Sequence, residues 1–200
     1  ILIGAGGHAH ACIDVIEQCK KYYIAGLIVT KKPAPKVFGY PVLGTDKELK
    51  KISKKIKYAF ISVGQIKTSK IRINLYKEAI EAGFKLPIIT SPFAYVSPRA
   101  KIGEGTIIMH GAVVNANAII GKNCIINTSC IVEHDAIVAD HCHVSTGAIL
   151  NGKVSLGRGS FVGSGCVVKE EVKIGNNCVI GANIFLRQSL ASDTIYKKQK

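Results

Sequence analysis

The chain has 200 residues, 48% of them hydrophobic, and 27 Lys and Arg against 13 Asp and Glu, for a formal charge of +14. That length allows one large domain or two small ones, with a core that needs no disulfide staples. No apolar run of about 20 residues and no charged-then-apolar leader is present, so neither a membrane span nor a secretory segment is expected. The seven cysteines are an odd number, none spaced C-x-x-C. This argues against a disulfide framework and for a reducing, cytoplasmic setting. The charge is uneven: residues 1–95 carry a net +10 and residues 96–200 a net +4. A basic half suits an anionic ligand such as a nucleotide, or is a solvated lysine-rich surface. Arginines do not cluster and few aromatics interleave with the lysines, so nucleic acid is not expected as a partner, and neither is a membrane.

In chain order, "ILIGAGGHAHACIDVIEQCKK" reads as strand, glycine turn and helix. Ile1–Ile3 is the strand, Gly4-Ala5-Gly6-Gly7 the turn, and Ala11–Lys21 the helix, with Cys12, Val15, Ile16 and Cys19 at helical spacing. Backbone N–H groups at such a helix start attract phosphate or carboxylate. Ile24–Val29 is a second strand, "ELKKISKKI" a short basic helix, and Tyr58–Val63 a strand ending at Gly64-Gln65. Ser69–Ala82 is a helix closed by Gly83, and Pro87–Ile89 a last strand. This β-α-β order implies a parallel, Rossmann-like sheet with ligands at the carboxyl ends of its strands. Gly4-x-Gly6-x-x-Ala9 invites a dinucleotide reading, but that motif needs an acid about 20 residues on. "GLIVTKKP" has none, which leaves a bare structural turn or a sugar or sugar-nucleotide site.

After the linker "SPFAYVSPRA" the pattern changes. Stepping by six from Val96 to Leu186 meets sixteen positions, every one Ile, Leu or Val. The fifth position of each hexad is usually small, as at Ala100, Thr106, Ala112, Cys124, Ala136 and Ser160. Glycine often follows the aliphatic residue, as at Gly103, Gly121, Gly157, Gly163, Gly175 and Gly181. Neither a helix nor a flat sheet has this period. A triangular β-solenoid does: each hexad makes one side and one corner, and three hexads close an 18-residue coil. Glycine and asparagine would supply the corner conformations. Five cysteines (Cys124, Cys130, Cys142, Cys166 and Cys178) fall at the small inward position, where they act as buried apolar residues.

This frame dismantles what looks like a metal cluster in "EHDAIVADHCH", residues 133–143. His134 is a third position, His141 a fourth and His143 a sixth, while Cys142 points inward. His134 and His143 are nine residues apart, half a coil, so one prism cannot bring them together. No metal is expected here, and His141 is expected at a solvated corner.

The hexads resemble those of the left-handed β-helix acyltransferases. With the preceding α/β unit, "GAGGHA", "FGYPVLGT", "SVGQ", "SPFAYVSP", "VEHDAIV" and "HVSTGAILNG", the chain resembles the NeuD/PglD-type sugar acetyltransferases over nearly its whole length. The resemblance implies a Rossmann-like substrate-binding domain over residues 1–92 and a left-handed parallel β-helix over 93–200. It implies acetyl-coenzyme A (acetyl-CoA) as co-substrate, a homotrimer with active sites between subunits, and a sugar or nucleotide-sugar acceptor of bacterial surface glycans. His134 would be the general base, with Asp135 as its carboxylate and Glu133 as the physical alternative. His143, Gly152, Gly163 and Gly181 would lie by the coenzyme, with a backbone N–H, such as that of Gly152, available for the oxyanion. Gly6, Gly7, His8, Gly64 and Gln65 would face the sugar. The acceptor group is a 4-amino group of a UDP-sugar or, alternatively, a hydroxyl of a sialic-acid-like sugar. A non-catalytic solenoid scaffold is the reading of another class. Two departures stand out: Val29-Thr30 replaces the family's usual acidic pair, and the usual "NPAK"-like C-terminal segment is missing after "SLASDTIYKKQK".

Overall fold

The computed structural model describes residues 1–30 and 35–197. The end of "GLIVTKKP" and the last three residues lie outside these. The first unit contains β1 (Leu2–Ile3), α1 (Gly7–Cys19), β2 (Leu27–Ile28), β3 (Lys36–Val37), β4 (Tyr40–Gly44), α2 (Leu49–Ser53), β5 (Phe60–Ile61) and α3 (Lys70–Glu81). Its sheet order is β3-β4-β2-β1-β5. β1 pairs in parallel with β2 and β5, and β2 with β4. The edge is an antiparallel β3–β4 hairpin that the all-parallel expectation missed. Its turn, Phe38-Gly39, has φ of 53° and 82°. Two positive φ values suit a tight hairpin, but the usual Asn-Gly signal is absent. α1 starts at Gly7 rather than Ala11, because Gly4 at φ 112° turns the chain at once.

The second unit is a left-handed parallel β-helix with three faces. Face one stacks six strands from Tyr95–Val96 to Phe185–Leu186, and face two five from Lys101–Ile102 to Lys173–Ile174. Face three stacks seven, from Ile89–Thr90 to Ile195–Tyr196. Through most of the stack each strand pairs with the one 18 residues on, as in Val113 with Ile131, Ile119 with Ile137 and Ile125 with His143. The aliphatic hexad residue is the second of each two-residue strand and points inward, where Val114, Val132, Leu150 and Val168 are completely buried. Each such side chain contributes about 1.5–3 kcal/mol of burial. The five inward cysteines are completely buried beside them.

Two expectations are corrected. Pro87–Ile89 does not close the α/β sheet. The strand is Ile89–Thr90, and it pairs with Ile107–Ile108, so the solenoid's open edge captures it. The glycines after the aliphatic residues are not the corner residues either. The left-handed φ falls two positions later, at the fourth position of successive hexads: Gly105, Gly111, Asn117, Asn123, Ser129, Asp135 and His141. Gly103, Gly121, Gly157, Gly163 and Gly175 are needed because coils stack closely there: a Cβ on Gly103 would lie 2.5 Å from the Gly121 carbonyl carbon, whereas Gly181 has no such close neighbour.

The units share a core. Face-three residues Ile89, Ile107, Met109 and Ile125 pack with Leu2, Cys12, Ile13 and Ile16 of the α/β unit. A second joint is polar. Arg72 of α3, 1% exposed, donates from Nη1 to the carbonyls of Ile61 (2.9 Å) and Val63 (2.5 Å). From Nη2 it donates to Asn123 Oδ1 (2.6 Å) and to the Asn123 carbonyl (3.1 Å). Burial pushes its pKa down to about 10, so it remains a cation at neutral pH, held by carbonyl dipoles. Tyr76 of α3 donates to Glu104 Oε1 (2.7 Å) and meets His141 edge-on, with ring centroids 5.4 Å apart. His141 is therefore not a solvated corner. It is 5% exposed, lies beneath α3, and its Nδ1 accepts from Asn123 Nδ2 at 3.0 Å.

Gly103→Ala forces two coils apart and is expected to lower stability by about 1–3 kcal/mol, read from chemical denaturation. Burial, with Arg158 nearby, pushes His141 down to about 4, whereas the unfolded chain takes up its proton near 6.5. Its contribution is thus full above about pH 6.5 and is lost as pH falls towards 4. The melting temperature should fall over that window, and His141→Gln should flatten the fall.

Candidate active site

The predicted site residues form three groups. The first lies at the corner between faces one and two. There Glu133, His134, Asn151, Gly152, Lys153, Glu170 and Glu171 line an open cleft of about 440 Å³. His134 follows a face-one strand, and its exposed ring sits with Nδ1 2.8 Å from Asp135 Oδ2. Asp135 takes the left-handed corner position at φ 59°, a conformation Asp tolerates better than most residues. That conformation accompanies the turn of the carboxylate onto the imidazole beside it. Asn117, one coil earlier, donates to Asp135 Oδ1 at 3.2 Å. The hydrogen bonds from His134 and Asn117 hold the Asp135 carboxyl below its usual range, so it is an anion at neutral pH. Glu133, the alternative partner, is engaged elsewhere: its Oε2 accepts from Asn115 Nδ2 (2.9 Å) and from the His134 backbone N–H (3.2 Å). With Nδ1–H donated to Asp135, Nε2 carries the free lone pair. The Cε1–Nε2 edge faces Gly152, where a Cβ would come within 2.9 Å of both atoms. Only glycine leaves that edge uncovered.

The second group lies at the opposite edge of face one. Gly163 and Gly181 share a mostly apolar pocket of about 430 Å³ with Ile66, Lys67, Phe161, Val179 and Ile195. The third group sits between the two units, at the carboxyl ends of β1 and β5. The His143 Nδ1 donates to the Gln65 carbonyl at 2.6 Å, and its Nε2 accepts from Asn127 Nδ2 at 3.0 Å. Burial pushes His143 down to about 4, which keeps it neutral in this tautomer. Gln65 is buried, and its amide donates to the Gly159 carbonyl at 3.2 Å. His8 lies close by, its ring centroid 6.5 Å from that of His143, and burial with the Arg72 charge pushes it down to about 3. His8 Nε2 and Gln65 Oε1 are buried without a protein partner. Gly6 and Gly7 are exposed at the start of α1, and Gly64 packs against the His8 side chain. His134 and His143 lie on different sides of the prism, as their half-coil spacing requires.

Sequence reasoning missed Asn115, Asn117, Asn127 and Arg72. The first two had a readable signal, because each stands 18 residues before the carboxylate it holds. Asn127 had a weaker one, since its partner His143 stands 16 residues on in the next coil, and Arg72 had none, since its partner Asn123 lies across the junction of the two units. Among the described residues, no group of three or more His, Cys, Asp or Glu could hold a metal ion.

Comparison with known proteins gives a consistent picture. The sequence model for the PglD N-terminal domain matches residues 1–79, and that for the GMPPB C-terminal domain residues 90–199. No match was found among curated protein sequences. Among solved structures, PerB from Caulobacter crescentus, in complex with CoA and GDP-perosamine, is similar at 33% identity with a TM-score of 0.90; the match covers 96% of this chain and 90% of that one. The acetyltransferase domain of PglB from Neisseria gonorrhoeae, in complex with acetyl-coenzyme A, is similar at 30% identity with a TM-score of 0.90, covering 95% and 91%. WeeI from Acinetobacter baumannii, at 22% identity, shares the fold with a TM-score of 0.85 over 96% and 92% of the two chains. The chain belongs to the PglD/NeuD-type family of acetyl-coenzyme A-dependent sugar acetyltransferases.

Proposed function

We propose that this enzyme transfers an acetyl group from acetyl-coenzyme A to the amine of a nucleotide-linked amino sugar, with His134 as general base. The observation that carries the reading is the His134–Asp135 pair at 2.8 Å, with Nε2 free beside Gly152. The amine must lose a proton as it attacks the thioester carbonyl. Nε2 takes that proton, and Asp135 holds the tautomer and stabilises the imidazolium that forms. The Gly152 backbone N–H is the donor offered to the tetrahedral oxyanion, whose collapse breaks the C–S bond and expels the coenzyme A thiolate, which takes the proton from the His134 imidazolium. The likeness to a perosamine N-acetyltransferase with GDP-perosamine favours an amine over a hydroxyl.

The assembly reading rests on where the first two groups lie. Both edges of face one carry a candidate half-site: the His134 cleft on one, and the Gly163–Gly181 pocket on the other. The outward row between them is wholly apolar: Tyr95 (56% exposed), Val113, Ile131, Ile149, Val167 and Phe185 (52% exposed). Three copies packed through this face around a threefold axis bury that row. They also bring the His134 edge of each subunit against the glycine edge of the next. The coenzyme then lies between subunits, along Gly163 and Gly181. Residues 93–200 form the acetyl-transfer domain, with one strand reaching back to Ile89. Residues 1–92 form the acceptor domain, and Gly6, Gly7, His8, Gly64 and Gln65 are at its ligand edge. His143, expected beside the coenzyme, borders both sites in this reading: its Nδ1 fixes the Gln65 carbonyl, and its ring meets Phe161 of the Gly163–Gly181 pocket edge-on at 5.1 Å. The unpartnered Nε2 of His8 and Oε1 of Gln65 are polar groups that an acceptor sugar or a bound water would satisfy.

His134→Ala should lower kcat by about two orders of magnitude or more while sedimentation shows the assembly intact; near-normal turnover would sink the assignment. With a panel of nucleotide-linked amino and hydroxy sugars, the acetyl group should survive hydroxylamine, as an amide does and an ester does not. Ile149→Asp should give a folded, inactive monomer, and an active monomer would overturn the inter-subunit site.

A further inference from the structure

Among the described residues, the ligand edge of the α/β unit, at the carboxyl ends of β1 and β5, carries Lys67 and Lys70, whereas the opposite edge gathers exposed Lys20, Lys21, Lys54, Lys55, Lys57 and Lys85. Contacts tie the chain segments of that edge together. The Lys85 N–H donates to the Lys57 carbonyl at 3.0 Å, Tyr58 bridges Lys85, and the Tyr22 and Tyr58 rings meet edge-on at 5.6 Å. The ammonium groups of Lys21 and Lys57 sit 5.8 and 5.4 Å from the Tyr22 and Tyr58 ring centres. Tyr23 projects fully into solvent, at 102% exposure, and Tyr58 is 38% exposed.

Neutralising the fold does not require this charge. The carboxyl ends of α1 and α3 together present about one negative partial charge, and Glu17, Glu78 and Glu81, in the last turns of α1 and α3, add three carboxylates. Six ammonium groups exceed both. Nor does the edge serve the sugar site, which lies at the other end of the strands.

We propose that this edge is a peripheral docking surface for an anionic lipid bilayer. Lysines whose stems and ammonium groups flank exposed tyrosines match the headgroup layer, where aromatic rings seat at the boundary and basic side chains meet lipid phosphate. Nucleic acid fits less well: the one arginine of residues 1–92 is the buried Arg72, so this edge offers no guanidinium fork for phosphate or base edges. The contact is peripheral, since among the described residues no helix is long and apolar enough to cross a membrane.

The test is co-sedimentation of the whole chain with vesicles at about 0.1 M salt, where charges are felt over about 10 Å. Vesicles rich in phosphatidylglycerol should bind the protein, pure phosphatidylcholine vesicles should not, and high salt should release it. Lys54→Gln, Lys57→Gln and Lys85→Gln combined should weaken binding at least tenfold and leave melting temperature and acetyl transfer to soluble substrate unchanged. The same number of charges removed from the solenoid, as Lys101→Gln, Lys169→Gln and Lys173→Gln, should have little effect. Tyr23→Ser should weaken vesicle binding without altering the salt dependence. The proposal fails if phosphatidylglycerol vesicles do not bind, if the two lysine sets act alike, or if duplex DNA displaces the vesicles at equal phosphate concentration.

Discussion

The close stacking of 18-residue coils governs the rest of this molecule. Each hexad must place one aliphatic side chain and one small one inside the prism, and must turn its corner through a left-handed residue. Those demands leave little room for variation inside, so chemistry can reside only on the outward positions and at the corners. The corner conformation is itself used. Asp135 stands at a left-handed position and thereby lies against the His134 ring. The glycine requirement is used as well. At Gly152 the space that a Cβ would fill is the space in front of His134 Nε2.

The α/β unit is held to this rod by two joints of different character. The apolar joint, α1 over Ile107, Met109 and Ile125, is nondirectional and supplies burial. The Arg72 joint is directional: a buried cation reaches both the carboxyl end of β5 and the Asn123 corner. Desolvating a cation costs several kcal/mol unless its donors are met; here Nη1 and Nη2 are met and Nε has no protein partner, so removing the acceptors would be more damaging than replacing the whole cluster with apolar residues. This joint sets the register between the units, and with it the position of His8 and Gln65 over His143. Three neutral histidines, His8, His141 and His143, lie along the seam because burial strips them of their protons. Protonating them as pH falls therefore works against the seam.

The same geometry assigns different work to the three outer faces. Face three is covered by the α/β unit over its first coils and opens into the Gly163–Gly181 pocket beyond it. Face one is apolar along its outward row and bare. Face two mixes Lys101, Ile119, Ile137, Ser155 and Lys173, which suits solvent. The His134 cleft and the Gly163–Gly181 pocket flank this apolar face, and the proposed inter-subunit site rests on that arrangement.

The sequence by itself determined the solenoid, because a period of six leaves a mark on every coil that no helix or flat sheet imitates. It also separated His134 from His143, since half a coil cannot be closed by side chains, and it placed the cysteines inside. The β-α-β unit and the His134–Asp135 neighbours were legible for the same local reason, and the family resemblance supplied the roles proposed for them. Only the tertiary structure decided what depends on contacts between distant segments. It put His141 beneath α3, gave Ile89–Thr90 to the solenoid, and engaged Glu133 with Asn115 so that Asp135 faces the imidazole. It also showed that the second-position glycines other than Gly181 answer to the neighbouring coil and not to their own dihedral angles. Periodicity is a property of one chain segment and can be read along it. Burial at a seam is a property of two segments, and appears only when both are in place.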